Sequence, residues 1–384
     1  VADKDSASAQ MTTTLDSALG TRDDAPSAAA DSVDGGRGSA RRVPAALLGV
    51  AMAVATLLLA VVALRLGAAG ISVEQAVAVV ARRLGMIDGS QVSVFDDQIV
   101  WQLRLPRVLA ALAIGSCLAI CGVVLQALTN NELADPFLLG ISSGASVGAV
   151  TVIVFGVSLP AVALYAAIPA ATFVGAIAAT VLVLVLARGK SGYLPPGRTI
   201  LSGVAIAQLC GAYTSMAIMV FGERGTAASV LAWTLGSLAG VRWAQALLLV
   251  GTMLVALLVV ASAARVLDAF SFGDNAAVAL GINVRRARWL LLIVTSLITA
   301  TTVAVAGPIG FIGLTVPHLV RIVVGPRHSL LLPLSAMAGA FLLLASDTIA
   351  RSLRDGAEIP IGVVTAVVGA PLLIFLLRRQ AAKS

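Results

Sequence analysis

Charge is scarce in this sequence. Asp, Glu, Lys and Arg make up 12% of its 384 residues, about half of the roughly 25% usual in soluble domains. Mean hydropathy is +1.00, so the composition is that of an integral membrane protein. Histidine and cysteine are scarcer still. His318 and His328 are the two histidines, and the three cysteines form no CxxC pair. Cys117 and Cys121 fall on one face of a helix and Cys210 in another segment, so neither a disulfide framework nor a metal site is expected, and no cofactor. Such cysteines pack as small apolar residues. Segments of about 10 residues with alternating polarity are also missing, which excludes a transmembrane barrel. There is no Walker motif either. Gly189-Lys190-Ser191 resembles the end of a P-loop, but Leu184 stands where the phosphate cradle needs a glycine.

Ionisable residues are nearly absent from the apolar runs themselves. Glu223, Asp347, Asp355 and Glu358 fall at or beyond the outer ends of spans. A membrane enzyme needs an acid, base or metal cluster at one level, and an ion-coupled transporter carries Asp, Glu or His within its helices. Both classes lack their residues here, so the energy for any transport must come from another chain. The net charge of +7 fits basic loops on the cytoplasmic side of a membrane rather than a nucleic-acid partner.

What is present is a series of apolar runs of about 20 residues, the length a helix needs to cross a hydrocarbon core of about 30 Å. Residues 1–43 form a polar tail of Ala, Ser, Thr, Asp and Gly, too polar to bury a core and without the apolar stretch of a signal peptide; disorder on the cytoplasmic side is expected there. Residues 44–380 form the membrane domain. Spans are predicted near 45–64, 106–128, 137–155, 159–187, 199–221, 244–263, 289–305, a short eighth ending in TVPHLVR, 330–345 and 361–377. A short amphipathic surface helix precedes the second span at 71–85, and another short outer helix follows the fifth. Asp135-Pro136 reads as an N-cap followed by proline in the first turn of a new helix. Ten spans put both termini in the cytoplasm, with Arg285, Arg286 and Arg288 among the many inside charges and Arg65, Arg82, Arg83, Arg104 and Arg107 among fewer outside.

Several motifs in order carry a resemblance: RLPR at 104–107, NNELADPFLLGISSGAS at 130–146, GPIGFIGLTVPHLVR at 307–321, GPRHSLLLPLSA at 325–336 and EIPIGVVTAVVGAP at 358–371. With these the chain resembles the FecCD family, the ten-helix permease subunits of ABC importers for ferric siderophores, haem and vitamin B12. The resemblance implies an all-α polytopic fold of the type II importer class in a bacterial plasma membrane. It implies surrounding lipid, a second permease subunit (a copy or a paralogue), two cytoplasmic ATPase subunits and an extracytoplasmic substrate-binding protein. The chain itself would then be no enzyme.

By position, the resemblance assigns Arg104, Arg107 and Arg351 to docking of the binding protein, where rim charges guide encounter and orientation. It assigns the loop 265–288, with Asp274, Ala279, Leu280 and Gly281, to a knob that couples to the ATPase. The fifth span is expected to wall the pathway through Ser202, Gly203, Gln208, Gly211 and Thr214. The resemblance implies a cytoplasmic gate near Pro196 to Thr199, where Pro-Gly stands in place of the small hydroxyl residues of a similar permease. Packing is the plainer alternative for any one of these small and polar residues. His318 is expected to satisfy a helix C-terminal carbonyl. A ferric siderophore is the expected cargo; haem or cobalamin, or a stand-alone secondary transporter, is the alternative.

Overall fold

The computed structural model describes residues 45–67, 70–87, 92–156, 160–190, 192–353 and 358–381. The expected tail at 1–43 lies outside them, as do Arg354 and Asp355. The described residues are helical throughout, with no strand among them: α1 (Ala45–Arg65), α2 (Val73–Arg83), α3 (Val94–Asp97), α4 (Leu105–Thr129), α5 (Ile141–Phe155), α6 (Ala161–Ala187), α7 (Pro196–Phe221), α8 (Thr226–Thr234), α9 (Trp243–Ser262), α10 (Ala264–Phe270), α11 (Asp274–Ala279), α12 (Val284–Ala306), α13 (Ile312–Val324), α14 (His328–Ser352) and α15 (Ile361–Ala381). Among the described residues, seven helical stretches are long and apolar enough to cross a membrane, and three shorter apolar helices, Ile141–Phe155, Ile312–Val324 and Ile361–Phe375, complete a set of about ten.

The helices divide by how much of them the chain itself covers. Along the stretch that contains α4, 89% of the most apolar window is buried, against 11% for α1 and 11% for α7. Helix α4 is therefore an internal post, packed on α14, α9, α13 and α12. Its glycines make this approach close. A Cβ at Gly115 would collide with the Gly339 carbonyl of α14, and one at Gly122 with the Gly313 carbonyl of α13. The α5–α6 pair works the same way, with Gly144 against Gly175 and Gly148 against the Ala171 carbonyl. Small residues are the currency of helix contact in lipid, where no hydrophobic effect drives helices together. The exposed faces of α1 carry Leu47, Val50, Val54, Leu57 and Leu58, as a lipid-facing surface requires.

Four boundaries differ from the sequence expectation. The second span does not begin at Pro106. Helix runs on upstream from Val94 through a π-helical stretch, Gln98–Arg104, in which the Leu105 N–H reaches back to Val100 O. The wider π turn accommodates the proline, which has no N–H to give and would crowd the preceding turn. The ninth span runs to Ser352 rather than 345, because Asp347 and Arg351 are paired within the fold and do not end the helix. The seventh begins at Val284, capped by the Asn283 side chain on Arg286 N–H, so the arginines at 285, 286 and 288 lie on the helix. Asp135 does act as a cap, accepting from Phe137 N–H at 2.8 Å, but what it caps is a short 3-10 turn, Pro136–Leu139; the third span, expected at 137–155, begins only at Ile141, after the left-handed Gly140.

The close approach at Gly122 yields a direct expectation. Gly122→Ala lowers the thermal midpoint of the detergent-solubilised protein by an amount equivalent to about 1–3 kcal/mol of overpacking. Gly251→Ala, where an added Cβ meets open space, leaves it unchanged or raises it. Equal midpoints for parent and Gly122→Ala contradict the account.

Candidate functional site

Charge is concentrated at the two ends of α4. At its start, Arg107 is 9% exposed and forks between two carboxylates. Its Nε donates to Asp347 Oδ1 at 3.0 Å, while Nη1 and Nη2 donate to the two oxygens of Glu358 at 2.8 and 2.9 Å. Asp347 is fully buried, and Arg351, one turn further along α14, lies 3.2 Å away on its other oxygen. Bidentate guanidinium–carboxylate geometry is the strong form of such pairing. Arg107 holds the half-exposed Glu358 carboxyl below its ordinary range, chiefly by hydrogen bonding.

Arg104 and Arg351 perform a second task at the same place. Arg104 Nη1 donates to the Leu64 and Arg65 carbonyls, each at 2.7 Å, and Arg351 donates to those of Leu66 and Ala63 at 3.0 and 3.1 Å. These are the last carbonyls of α1 and its exit, which have no partner within the helix, and cations there also suit the helix dipole. The three arginines expected to reach outward are thus gathered at one end but turned inward. Their guanidinium groups are consumed by the buried Asp347, the half-exposed Glu358 and orphan carbonyls, so none stands as a simple rim charge.

The five positions on α7 separate. Gly203 is buried, and a Cβ there would strike the Leu138 carbonyl at the approach to α5. It belongs to intrachain packing and leaves the pathway set. Gln208 lies roughly 140° around the helix from Gly203 and is exposed, as is Gly211; Ser202 and Thr214 are half-buried on the flanks. Thr214 Oγ1 returns a hydrogen bond to the Gly211 carbonyl at 2.9 Å. The open face of α7 is thus uncharged, with Leu201, Val204, Leu209 and Met216 around Gln208.

At the far end of α4, Arg288 is 3% exposed. It meets Asp274, the first residue of α11, through Nη2–Oδ1 at 2.7 Å and Nη1–Oδ2 at 3.1 Å. It also donates to Tyr193 Oη, the Leu194 carbonyl and the Leu128 carbonyl. Tyr193 Oη in turn donates to Asp274, and burial pushes the Tyr193 hydroxyl pKa up, with the Asp274 contact adding to it. Beyond Asp274 the expected knob is present. Ala279, Leu280 and Gly281 are exposed, and Gly281 at φ +80° takes the left-handed conformation that ends a helix.

Beside this, Glu132 of the polar turn lies 2.9 Å from His318 Nδ1, and Arg321 donates to Gln126 at 2.9 Å. His318 therefore faces a carboxylate and not the C-terminal carbonyl expected of it. Glu358, Tyr193 and the special place of Arg288 escaped the sequence; the Asp347/Arg351 pair at i,i+4 in an otherwise apolar run was the signal available for one cluster.

Breaking these pairs has unequal consequences. Asp347→Asn leaves buried guanidinium groups uncompensated and is expected to cost about 3–5 kcal/mol. Glu358→Gln, whose side chain is 46% exposed, is expected to cost less than about 1 kcal/mol. Thermal unfolding of both variants in detergent checks this, and equal losses contradict it.

Known proteins share this architecture. The structure superposes on an ABC transporter described as of metal-chelate type, in an inward-facing conformation, with TM-score 0.75 and 30% identity, covering 87% of this chain and 99% of that one. The vitamin B12 import system permease protein BtuC of Vibrio cholerae is 43% identical over 289 residues, 75% of this chain and 85% of that protein. The hemin transport system permease protein HmuU of Yersinia pestis is 41% identical over 283 residues, 73% and 84%. The Fe(3+)-citrate import system permease protein YfmE of Bacillus subtilis is 37% identical over 332 residues, 86% and 95%. Residues 47–379 match the FecCD transport family, and with the helix set and the motif order above, the chain belongs to that family.

Proposed function

We propose that this chain is the membrane permease of a binding-protein-dependent ABC importer whose cargo is a large organic metal chelate. The observation that carries the reading is the family match over residues 47–379 joined to the open, uncharged face of α7. A bulky chelate passes most readily along a wall that offers few strong electrostatic contacts, and Gln208, Gly211, Thr214 and Ser202 supply weak polar ones. Power comes from separate ATPase subunits that receive α11 and its Ala279-Leu280-Gly281 exit. The α11 end then faces the cytoplasm, and the Arg107 end faces outward.

The binding protein docks on that outward end. Arg104, Arg107 and Arg351 fix its shape by holding α1, α14 and the segment before α15 together, so their part in docking is to build the surface as much as to touch the partner. A second permease chain completes the pathway opposite α7.

A ferric siderophore is the cargo we propose first, supported by the ferric-citrate relative, which this chain matches over 95% of that protein's length. Cobalamin is the second reading, favoured by the 43% identity to the vitamin B12 permease, with haem the third. The test is uptake into proteoliposomes holding the permease, its ATPase and its binding protein, with labelled ferric siderophore, haem and cobalamin offered in parallel. One of the three accumulates, only with ATP inside and only with the binding protein outside. Gradient-driven uptake by the permease alone, without the ATPase, overturns the proposal in favour of a secondary transporter.

A further inference from the structure

The Arg288 cluster asks for an explanation beyond helix stability. A cation in the first turns of a helix opposes the helix dipole, and a buried guanidinium costs several kcal/mol to desolvate unless it is fully paired. Arg288 lies in the first turns of α12 and is buried. Its acceptors come from three separate places: the Asp274 carboxylate that opens α11, Tyr193 Oη and Leu194 O in the segment leading into α7, and Leu128 O in the last turn of α4. The rings of Tyr193 and Phe270 lie 5.3 Å from the guanidinium carbon, adding cation–π contact. Next door, Trp289 Nε1 donates to the Gly192 carbonyl at 3.0 Å, so the same short segment is held twice.

We propose that Arg288 is the pin that transmits movement from α11 to the start of α7, with α4 as the fixed point. This rests on the reading of α11 as the ATPase contact. The surface around α11 supports that reading: Phe272, Val278 and Leu280 are 77%, 61% and 68% exposed, beside an open cleft of about 470 Å³ lined by Tyr193, Asp274, Asn275, Ile282 and Arg285. Apolar groups clustered at a polar end of a membrane protein mark a protein contact. A push on α11 displaces the Asp274 carboxylate. The planar fork of Arg288 cannot follow it while keeping its hold on Leu194 unless Tyr193–Leu194 moves too, because the donors sit in fixed geometry. Pro195 and Pro196 follow directly, and their rings hold the chain stiffly, so the displacement reaches Thr199 and the first turn of α7. Beside that turn the packing is not closed: a void of about 20 Å³, close to the size of one water, is lined by Leu128, Leu138, Pro196, Thr199, Ile200 and Arg288, among others. Arg288 is a positioning residue in this scheme. It touches neither ATP nor cargo.

Arg288→Lys and Tyr193→Phe test it in the assembled importer in proteoliposomes. Lysine keeps the charge and one contact with Asp274 but cannot span the carbonyls. Tyr193→Phe keeps the Arg288–Asp274 pair and removes one link to the α7 segment. Losing hydrogen bonds to a charged group predicts about a tenfold or larger fall in cargo taken up per ATP hydrolysed for Arg288→Lys, and a smaller fall for Tyr193→Phe, while the ATPase still co-purifies and still turns over. If Arg288→Lys fails to fold, Tyr193→Phe alone decides. Unchanged uptake per ATP in the folded variants overturns the pin. Leu280→Glu on the exposed exit of α11 checks the underlying reading separately. Loss of ATPase co-purification supports α11 as the contact, and retained ATPase binding removes that premise whatever Arg288 does.

Discussion

The whole structure depends on burying α4. A helix covered on nearly every side inside a membrane can hold no unpaired charge along its length and can meet its neighbours only where side chains shrink to hydrogen. Gly115 and Gly122 meet that demand against Gly339 and Gly313. Ser116 returns its hydroxyl to the Ala336 carbonyl at 3.0 Å, and Gln126 reaches the Gly313 and Leu314 carbonyls, so the few polar side chains on the post are occupied by neighbours. With α4 enclosed, other helices must form the outside: α1 shows leucine and valine, and α7 shows a face that is apolar with scattered polar groups.

Polarity displaced from the middle of α4 is collected at its ends, and arginine collects it. The guanidinium is always charged and offers five donors in a rigid plane, so one side chain can serve a carboxylate and several carbonyls at once. Arg107 joins Asp347 and Glu358 across α4, α14 and the segment before α15. Arg288 joins α11, the α7 lead and the end of α4. The two clusters are separated by most of α4, roughly 32 Å from Arg107 to Leu128 at 1.5 Å per residue. A stiff post wired at both ends allows events at one face to have consequences at the other, and an importer driven by an ATPase requires such a connection.

Much of this was legible in the sequence because membrane burial writes long, low-charge runs that survive without context. About ten spans, the short surface helix expected at 71–85 and found at Val73–Arg83, and the short helix α11 with its glycine stop followed from hydropathy, capping residues and one glycine. What remained hidden depends on partners distant in sequence. Asp347 looked like the edge of a span because a carboxylate in lipid is costly, yet Arg107, 240 residues away, cancels the cost and lets the helix continue. Gly203 looked like part of a polar stripe on α7, because a stripe does not reveal which side another backbone will approach. The arginines at 104, 107 and 351 gather at one end, but sequence cannot say whether a guanidinium turns to water or to the last carbonyls of a neighbouring helix.

The division between an enclosed α4 and an open α7 is the central claim, and the chain's own cysteines can report on it. Cys117 and Cys121 are buried on α4, whereas Cys210 on α7 is only partly covered. With Cys210 replaced by serine, Gln208→Cys offers a probe on the open face. The decisive measurement is labelling of the assembled importer with a water-soluble maleimide, with and without ATP. The account predicts that the Gln208→Cys thiol reacts, and that its rate changes between the two conditions, while Cys117 and Cys121 stay unmodified in both. Labelling of Cys117 or Cys121 at a rate comparable to the α7 thiol would contradict it.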